Sequence, residues 1–230
     1  MGSVSVIFFT DFDGTITIKD SNDFMTEELG YGRELRLVEN DHILYGRNLP
    51  FDQCIATLRA NIKLDPGFRD FFHWCRAHNV PIVILSGGMR PVIRSLLEMW
   101  LGDEASYIQI VSNDVAPRDG KSINDEAGWR IVYHDETPFG HDKSMEIRKY
   151  SARPDRPIML YAGDGVSDLS AARETDLLFA KAGKDLVTYC ERENVPFVTF
   201  QDFTSIHKTV EAIEAGTLTH KDAALGRIHT

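Results

Sequence analysis

Cysteine is scarce in this 230-residue chain: Cys54, Cys75 and Cys190 make an odd number at irregular spacing, with no CxxC pair. That excludes a disulfide framework or a zinc ribbon and points to buried thiols in a reducing, cytoplasmic setting. Cys75-x-x-His78 lacks a second ligand pair and reads as a structural thiol beside a surface histidine. No apolar run approaches the roughly 20 residues of a membrane span. No charged leader precedes the first apolar run, which argues against a signal peptide. Val6 stands where a myristoylation motif needs Ser or Thr. Positive charge is short too: 25 Lys and Arg against 35 Asp and Glu leave a net charge of −10. No basic cluster offers a stripe for nucleic acid. An acidic field does not steer anions from a distance, so any bound anion needs local positive charge. Internal repeats and low-complexity segments are absent.

What the chain does have is a set of apolar runs that end in acid or in small residues. The first, over residues 4–10, delivers Asp11-Phe12-Asp13-Gly14-Thr15. Strand alternation puts Asp11 and Asp13 on one side, sends Phe12 to the core, and leaves Gly14 to turn the chain. Two such close carboxylates need a cation or a shared proton, although Asp-Gly can also simply close a strand as a turn. Residues 157–162 form a second run, ending in Gly163-Asp164-Gly165-Val166-Ser167-Asp168 ahead of a helical pattern. A third, residues 80–85, ends in Ser86-Gly87-Gly88 before a helix over 91–101 with Pro91 in its first turn. Small residues followed by a helix N-terminus can hold an anion, and equally serve as an ordinary strand-to-helix loop. A length of 230 residues at 43% hydrophobic content fits one α/β domain with a small insertion.

Between the motifs, the spacing predicts helices over 21–29, 32–39 and 51–60. A helix over 67–79 follows, with Phe68, Phe71, Phe72 and Cys75 as its core stripe. Residues 107–111 and 129–133 read as hairpin strands around Asp119-Gly120. Lys143 opens a helix over 144–150. Helices over 169–174, 184–194 and 203–215 then alternate with strands over 177–180 and 196–200, and the tail 217–230 reads as loosely held.

Asp11 to Thr15, Ser86, Lys143 and Gly163 to Asp168, in this order, resemble the four motifs of the haloacid dehalogenase superfamily of phosphohydrolases. Ser86-Gly87-Gly88-Met89 and the Gly163 to Asp168 hexad are similar to the phosphoserine-phosphatase-like branch. The match is narrower with the diketo-methylthiopentane-phosphate phosphatases and their fungal relatives. The resemblance implies an α/β fold in which a Rossmann-like parallel sheet core (1–16 and 64–230) carries a small helical cap (17–63) and a β-hairpin insert before Lys143. It implies Asp11 as nucleophile, forming an aspartyl-phosphate, and Asp13 as acid and then base. Mg2+ would sit on Asp11, the Asp13 backbone carbonyl and Asp164, with Asp168 supporting it from behind. Ser86 and the Gly87 N–H would hold phosphoryl oxygens, and Lys143 would balance charge.

Phosphoserine enzymes clamp a carboxylate with a cap arginine, yet residues 51–58 carry no basic residue before Arg59. A sugar, polyol or diketo-pentane phosphate is therefore expected, with Asp20 and Asn22 facing its hydroxyls. A phosphoserine phosphatase using Arg36 or Arg59, and a non-catalytic phosphate-ester sensor, are the alternatives; a metal-free dehalogenase is disfavoured because such enzymes lack Asp13. The expected partner is a small phosphate ester, without nucleic acid or membrane, bound by a monomer or homodimer.

Overall fold

A computed structural model describes residues 5–29, 49–137 and 141–225. Seven strands form one sheet in the order β4-β3-β2-β1-β5-β6-β7. They are β1 (Val6–Thr10), β2 (Ile82–Met89), β3 (Gln109–Pro117), β4 (Trp129–Val132), β5 (Ile158–Gly163), β6 (Leu177–Lys181) and β7 (Val198–Phe200). All pairings are parallel except β3 with β4. The chain builds outward from β1 through β2 and β3, then returns to lay β5 on the other side of β1. The strand order therefore reverses between β1 and β5, where open α/β sheets form the crevice that binds ligands.

Alternation along β1 explains the layers. Val6 and Phe8 enter one core with helices Phe51–Asn61, Phe68–Ala77, Arg90–Leu101 and Phe203–Glu214. Ile7 and Phe9 enter the other with helices Lys143–Ser151, Leu169–Ala172 and Asp185–Glu193. A central strand buried on both faces needs the near-continuous apolar run that β1 carries. The stripe Phe68, Phe71, Phe72 and Cys75 is buried as its spacing required, and Phe8 packs edge-on to Phe71 with ring centroids 4.8 Å apart. All three cysteines are free and buried.

Four expectations are corrected. First, β2 does not end at Leu85 but continues to Met89, with its register shifting between Ser86 and Met89. The Gly87-Gly88 pair lets the strand bulge instead of stopping. Second, the predicted hairpin forms, β3 pairing antiparallel with β4, but it is continuous with the main sheet. β3 starts at Gln109, runs parallel to β2, and only in its second half pairs antiparallel with β4, making a side extension of the main sheet. Tyr107 lies before it in a 3-10 turn, Gly102–Tyr107. Third, the segment predicted as a helix over 21–29 is helical over those bounds but changes type, from one α-turn, Ser21–Phe24, to a π-turn, Met25–Leu29. Fourth, the tail is held through residue 225: His220–Leu225 is helical, and Leu218, Ala223 and Ala224 pack on the larger core. The predicted helix over 32–39, and Arg36 with it, lies outside the described residues. No helix among the described residues is long and apolar enough to cross a membrane.

Candidate active site

Asp11 follows β1 on the same side as Ile7 and Phe9. The helix beginning at Lys143 packs on that face through Ile147 and Tyr150, which brings its first residue to the strand end. Asp142 caps that helix by accepting from the Ser144 N–H at 3.0 Å. Lys143, 2% exposed, donates from Nζ to Asp11 Oδ1 at 2.8 Å and to Asp168 Oδ1 at 2.6 Å. Asp168 is fully buried. Its Oδ1 also accepts from the Tyr161 hydroxyl at 2.5 Å, and its Oδ2 accepts from the Asp164 and Gly165 N–H groups at 2.9 and 3.0 Å. Oxygens of Asp11, Asp164 and Asp168 lie within 4.8 Å of one another.

Asp13 faces the segment before and into the first helix. Its Oδ1 accepts from the Ser21 N–H at 2.7 Å and its Oδ2 from Asn22 Nδ2 at 3.0 Å. Asp20 caps that helix, its Oδ1 accepting from the Asp23 N–H at 2.8 Å. Thus Asn22 is bonded to a site carboxylate and Asp20 to its own helix, contacts that the sequence did not reveal. Gly14 adopts φ +73°, and a Cβ there would fall 2.2 Å from Asp164 Oδ2. Only glycine allows the β1 turn to pass this close to the Asp164 carboxylate.

Four carboxyl groups, Asp11, Asp13, Asp164 and Asp168, share the site with one buried ammonium, which is bonded to Asp11 and Asp168. Burial drives the Asp11 carboxyl up to about 8, helped by the charges of Asp168 and Asp164 and opposed by Lys143. Burial, then Asp20, holds Asp13 well above the usual carboxylate range, against the pull of the Ser21 N–H. Burial and Asp168 push Asp164 up to about 6. Burial works against the Lys143 cation, but Asp11 and Asp168 outweigh it and keep the ammonium charged. Lys184 stands 3.6 Å from Asp164 Oδ2 at a half-exposed position. Oxygen donors alone, converging carboxyl groups whose ionisation burial opposes until a further cation balances it, suit a hard divalent cation.

Ser86 and Gly87 sit at the β2 bulge. Ser86 Oγ accepts from the Gly88 N–H at 2.9 Å, and Asn113 Nδ2 donates to the Gly87 carbonyl at 2.7 Å. Sequence reasoning missed Tyr161, Asn113 and Lys184. Tyr161 carried a signal, being a strand residue with a hydroxyl two positions before Gly163; Asn113 and Lys184 reach the site only through sheet pairing and loop placement. His134 and His141, taken as scattered, stack edge-on with centroids 4.6 Å apart. His141 is buried, its Nδ1 stands 4.0 Å from Asp135 Oδ2, and neither ring nitrogen is hydrogen-bonded to a described residue. Burial and Lys143 lower it to about 4, so it is neutral and adds no charge. Arg59 is bonded to Ser95 Oγ at 3.3 Å on the neighbouring helix.

The profile of the haloacid dehalogenase-like hydrolases matches residues 8–173. The chain is 45% identical to the polyol phosphate phosphatase PYP1 of Saccharomyces cerevisiae, over 94% of this chain and 97% of that one. It is equally 45% identical to the Pdp3-interacting factor 1 of Schizosaccharomyces pombe, over 89% and 94%. A 2-hydroxy-3-keto-5-methylthiopentenyl-1-phosphate phosphatase of Bacillus cytotoxicus shares 27% identity over 90% and 97%. The crystal structure of an apo phosphoserine phosphatase superposes with a TM-score of 0.63 over 89% of this chain and 98% of that one, at 16% identity, a likeness of fold.

Proposed function

Because the chain belongs to the haloacid dehalogenase-like hydrolases, we propose that it is a Mg2+-dependent phosphatase, acting in the cytoplasm on a small-molecule phosphate monoester through an aspartyl-phosphate on Asp11. The observation that carries this reading is the buried Asp11 at the end of β1, bonded to Lys143 and converging with Asp164 and Asp168. A phosphate monoester dianion repels nucleophiles and hydrolyses extremely slowly in water, so its enzyme must neutralise charge and fix an in-line attack.

Asp11, Asp164 and the Asp13 backbone carbonyl would hold Mg2+, which when bound shields the charge between an attacking carboxylate and the phosphoryl oxygens. Asp11 attacks phosphorus through a carboxylate oxygen, and the ester P–O bond breaks. Asp13, whose carboxyl burial and then Asp20 shift above the usual carboxylate range, gives a proton to the departing alkoxide. Water then attacks the acyl phosphate while Asp13 takes its proton, returning the Asp11 carboxylate and releasing phosphate. The Ser86 hydroxyl, the Gly87 N–H and the Lys143 ammonium hold the transferring group, and Asp168 keeps Lys143 in place.

For the substrate we take a polyol, sugar or diketo-pentane phosphate, read by Asp20, Asn22 and the rest of a cap spanning 17–63 over the core formed by 1–16 and 64–230. Support comes from the 45% identical relative named for polyol phosphates and from Arg59, whose guanidinium is engaged by Ser95. The test is turnover of p-nitrophenyl phosphate and a metabolite-phosphate panel with Mg2+. Asp11→Asn should abolish activity, and Asp13→Asn should harm alkyl phosphates more than p-nitrophenyl phosphate, whose leaving group needs no proton. Full activity in EDTA, or Asp11→Asn within about tenfold of wild type, refutes the mechanism; phosphoserine as best substrate refutes the substrate class.

A further inference from the structure

Resting on the phosphatase reading of this site, we propose that Asn113 is a positioning residue for phosphate binding. It acts through the Gly87–Gly88 peptide, leaving the Ser86 hydroxyl hydrogen to be donated to a phosphoryl oxygen. The ladder between β2 and β3 jumps from Ser86 opposite Ser112 to Met89 opposite Asn113, so Gly87 and Gly88 have no partner in register. Asn113, 3% exposed, fills that gap with its side chain. Its Nδ2 donates to the Gly87 carbonyl at 2.7 Å and its Oδ1 accepts from the His134 N–H at 2.8 Å. These two partners admit a single amide orientation, because a carbonyl needs the NH2 group and an N–H needs the oxygen.

A peptide unit is planar and trans, and none among the described residues is cis. Anchoring the Gly87 carbonyl on Asn113 therefore turns the Gly88 N–H to the opposite side, where it donates to Ser86 Oγ at 2.9 Å. A hydroxyl has one hydrogen and two lone pairs. With one lone pair engaged by Gly88, and with no bond donated by Ser86 Oγ to any described residue, its hydrogen is left for a ligand. A Cβ on Gly88 would lie 3.0 Å from Asp13 Oδ2 and 3.2 Å from Ser86 Oγ, so the Gly88 backbone packs closely against both groups. Amide, peptide and hydroxyl form one polarised chain, in which each bond strengthens the next. The other arm of Asn113 pins the backbone of His134, whose ring packs on His141, two residues before Lys143. One buried amide thus links the β2 bulge to the segment that leads into the Lys143 helix.

Asn113→Asp keeps the size and the acceptor for His134 but turns an oxygen toward the Gly87 carbonyl. With p-nitrophenyl phosphate and Mg2+, kcat/KM should fall about 10- to 100-fold, short of or reaching the ~100- to 1,000-fold cost of deleting an oxyanion donor outright. Inhibition by inorganic phosphate should weaken in parallel, while the Mg2+ concentration for half-maximal activity stays at the wild-type value. Ser86→Ala alone should also lose activity, and the double variant should be no worse than Ser86→Ala within about threefold, because the two act as one unit. A merely structural role predicts losses that multiply. Asn113→Ser, small and neutral, repeats the measurement should the aspartate variant fail to fold. Full kcat/KM in either folded variant, or multiplying losses, overturns the role of Asn113. A wild type without turnover overturns the phosphatase reading and this inference with it, whereas an active wild type with a Ser86→Ala variant that loses nothing overturns this inference alone.

Discussion

Replacing Lys143 by Met keeps the length of the side chain and removes the one buried ammonium that the described residues place at the site carboxylates. The lysine is 2% exposed and holds Asp11 at 2.8 Å and Asp168 at 2.6 Å. Removing one partner of a buried ion pair costs ~3–5 kcal/mol, because the other charge is left in a medium that solvates it poorly. At ~2–4 °C per kcal/mol for a chain of this size, the apo protein should unfold roughly 6–20 °C lower. The sign with pH follows from who holds protons. Lys143 is charged in both folded and unfolded chains from acid to mild base, so it adds no slope itself. In the variant, the carboxylates that lose the cation relieve their repulsion by binding a proton beyond the one that Asp11 already holds in the wild type up to about pH 8, and the unfolded chain does not hold it. Each such proton costs ~1.4 kcal/mol per pH unit, so the penalty should grow from about pH 5.5 to about pH 8.5. Adding Asp11→Asn removes one of the unpaired charges and should recover part of the loss. Urea unfolding in EDTA at the two pH values measures this. A variant within about 1 kcal/mol of wild type, or a penalty that does not grow with pH, would refute the electrostatic reasoning.

Two further outcomes follow from the same geometry. In the wild-type apo protein, Asp11 raised to about 8 and Asp164 raised to about 6 bind protons in the folded state that the unfolded chain has already lost. Their stabilisation is complete at acid pH and disappears as pH climbs through that window, so apo stability should decline from about pH 4 to about pH 8, with Mg2+ restoring most of it at the alkaline end. A flat or rising stability in EDTA would contradict this. Gly14→Ala forces a left-handed alanine, costing ~1–2 kcal/mol, and its Cβ meets Asp164 Oδ2 at 2.2 Å. The Mg2+ concentration for half-maximal activity should rise about tenfold or more, with only a modest drop in melting temperature; unchanged Mg2+ dependence would show that Asp164 tolerates the displacement.

Local pattern was enough for the strands that carry chemistry, because a strand buried on both faces must be an apolar run and its carboxyl end is where polar residues begin. The acids of Asp11 to Thr15 and of Gly163 to Asp168 were legible on that ground, whereas Lys143 was an ordinary helix-start lysine until the resemblance singled it out. Local pattern was not enough at Gly87-Gly88, where a stop and a bulge look alike until β3 is laid alongside, nor in the β3–β4 segment, which changes from parallel to antiparallel partners within one strand. It did not identify Asn113 or Lys184, whose partners lie on other elements and carry no sequence spacing to betray them, and the spacing of Tyr161 ahead of Gly163 was passed over. Asp20 and Asn22 were visible as polar groups near the site, but only the fold tied one to its own helix and the other to Asp13. The chain by itself determined which residues are acidic, small or apolar in which order, and so the sheet and its strand-end carboxylates. Tertiary structure alone decided which oxygens meet which donors, because hydrogen bonds and ion pairs between elements depend on distances of a few ångströms that the packing of the two cores sets.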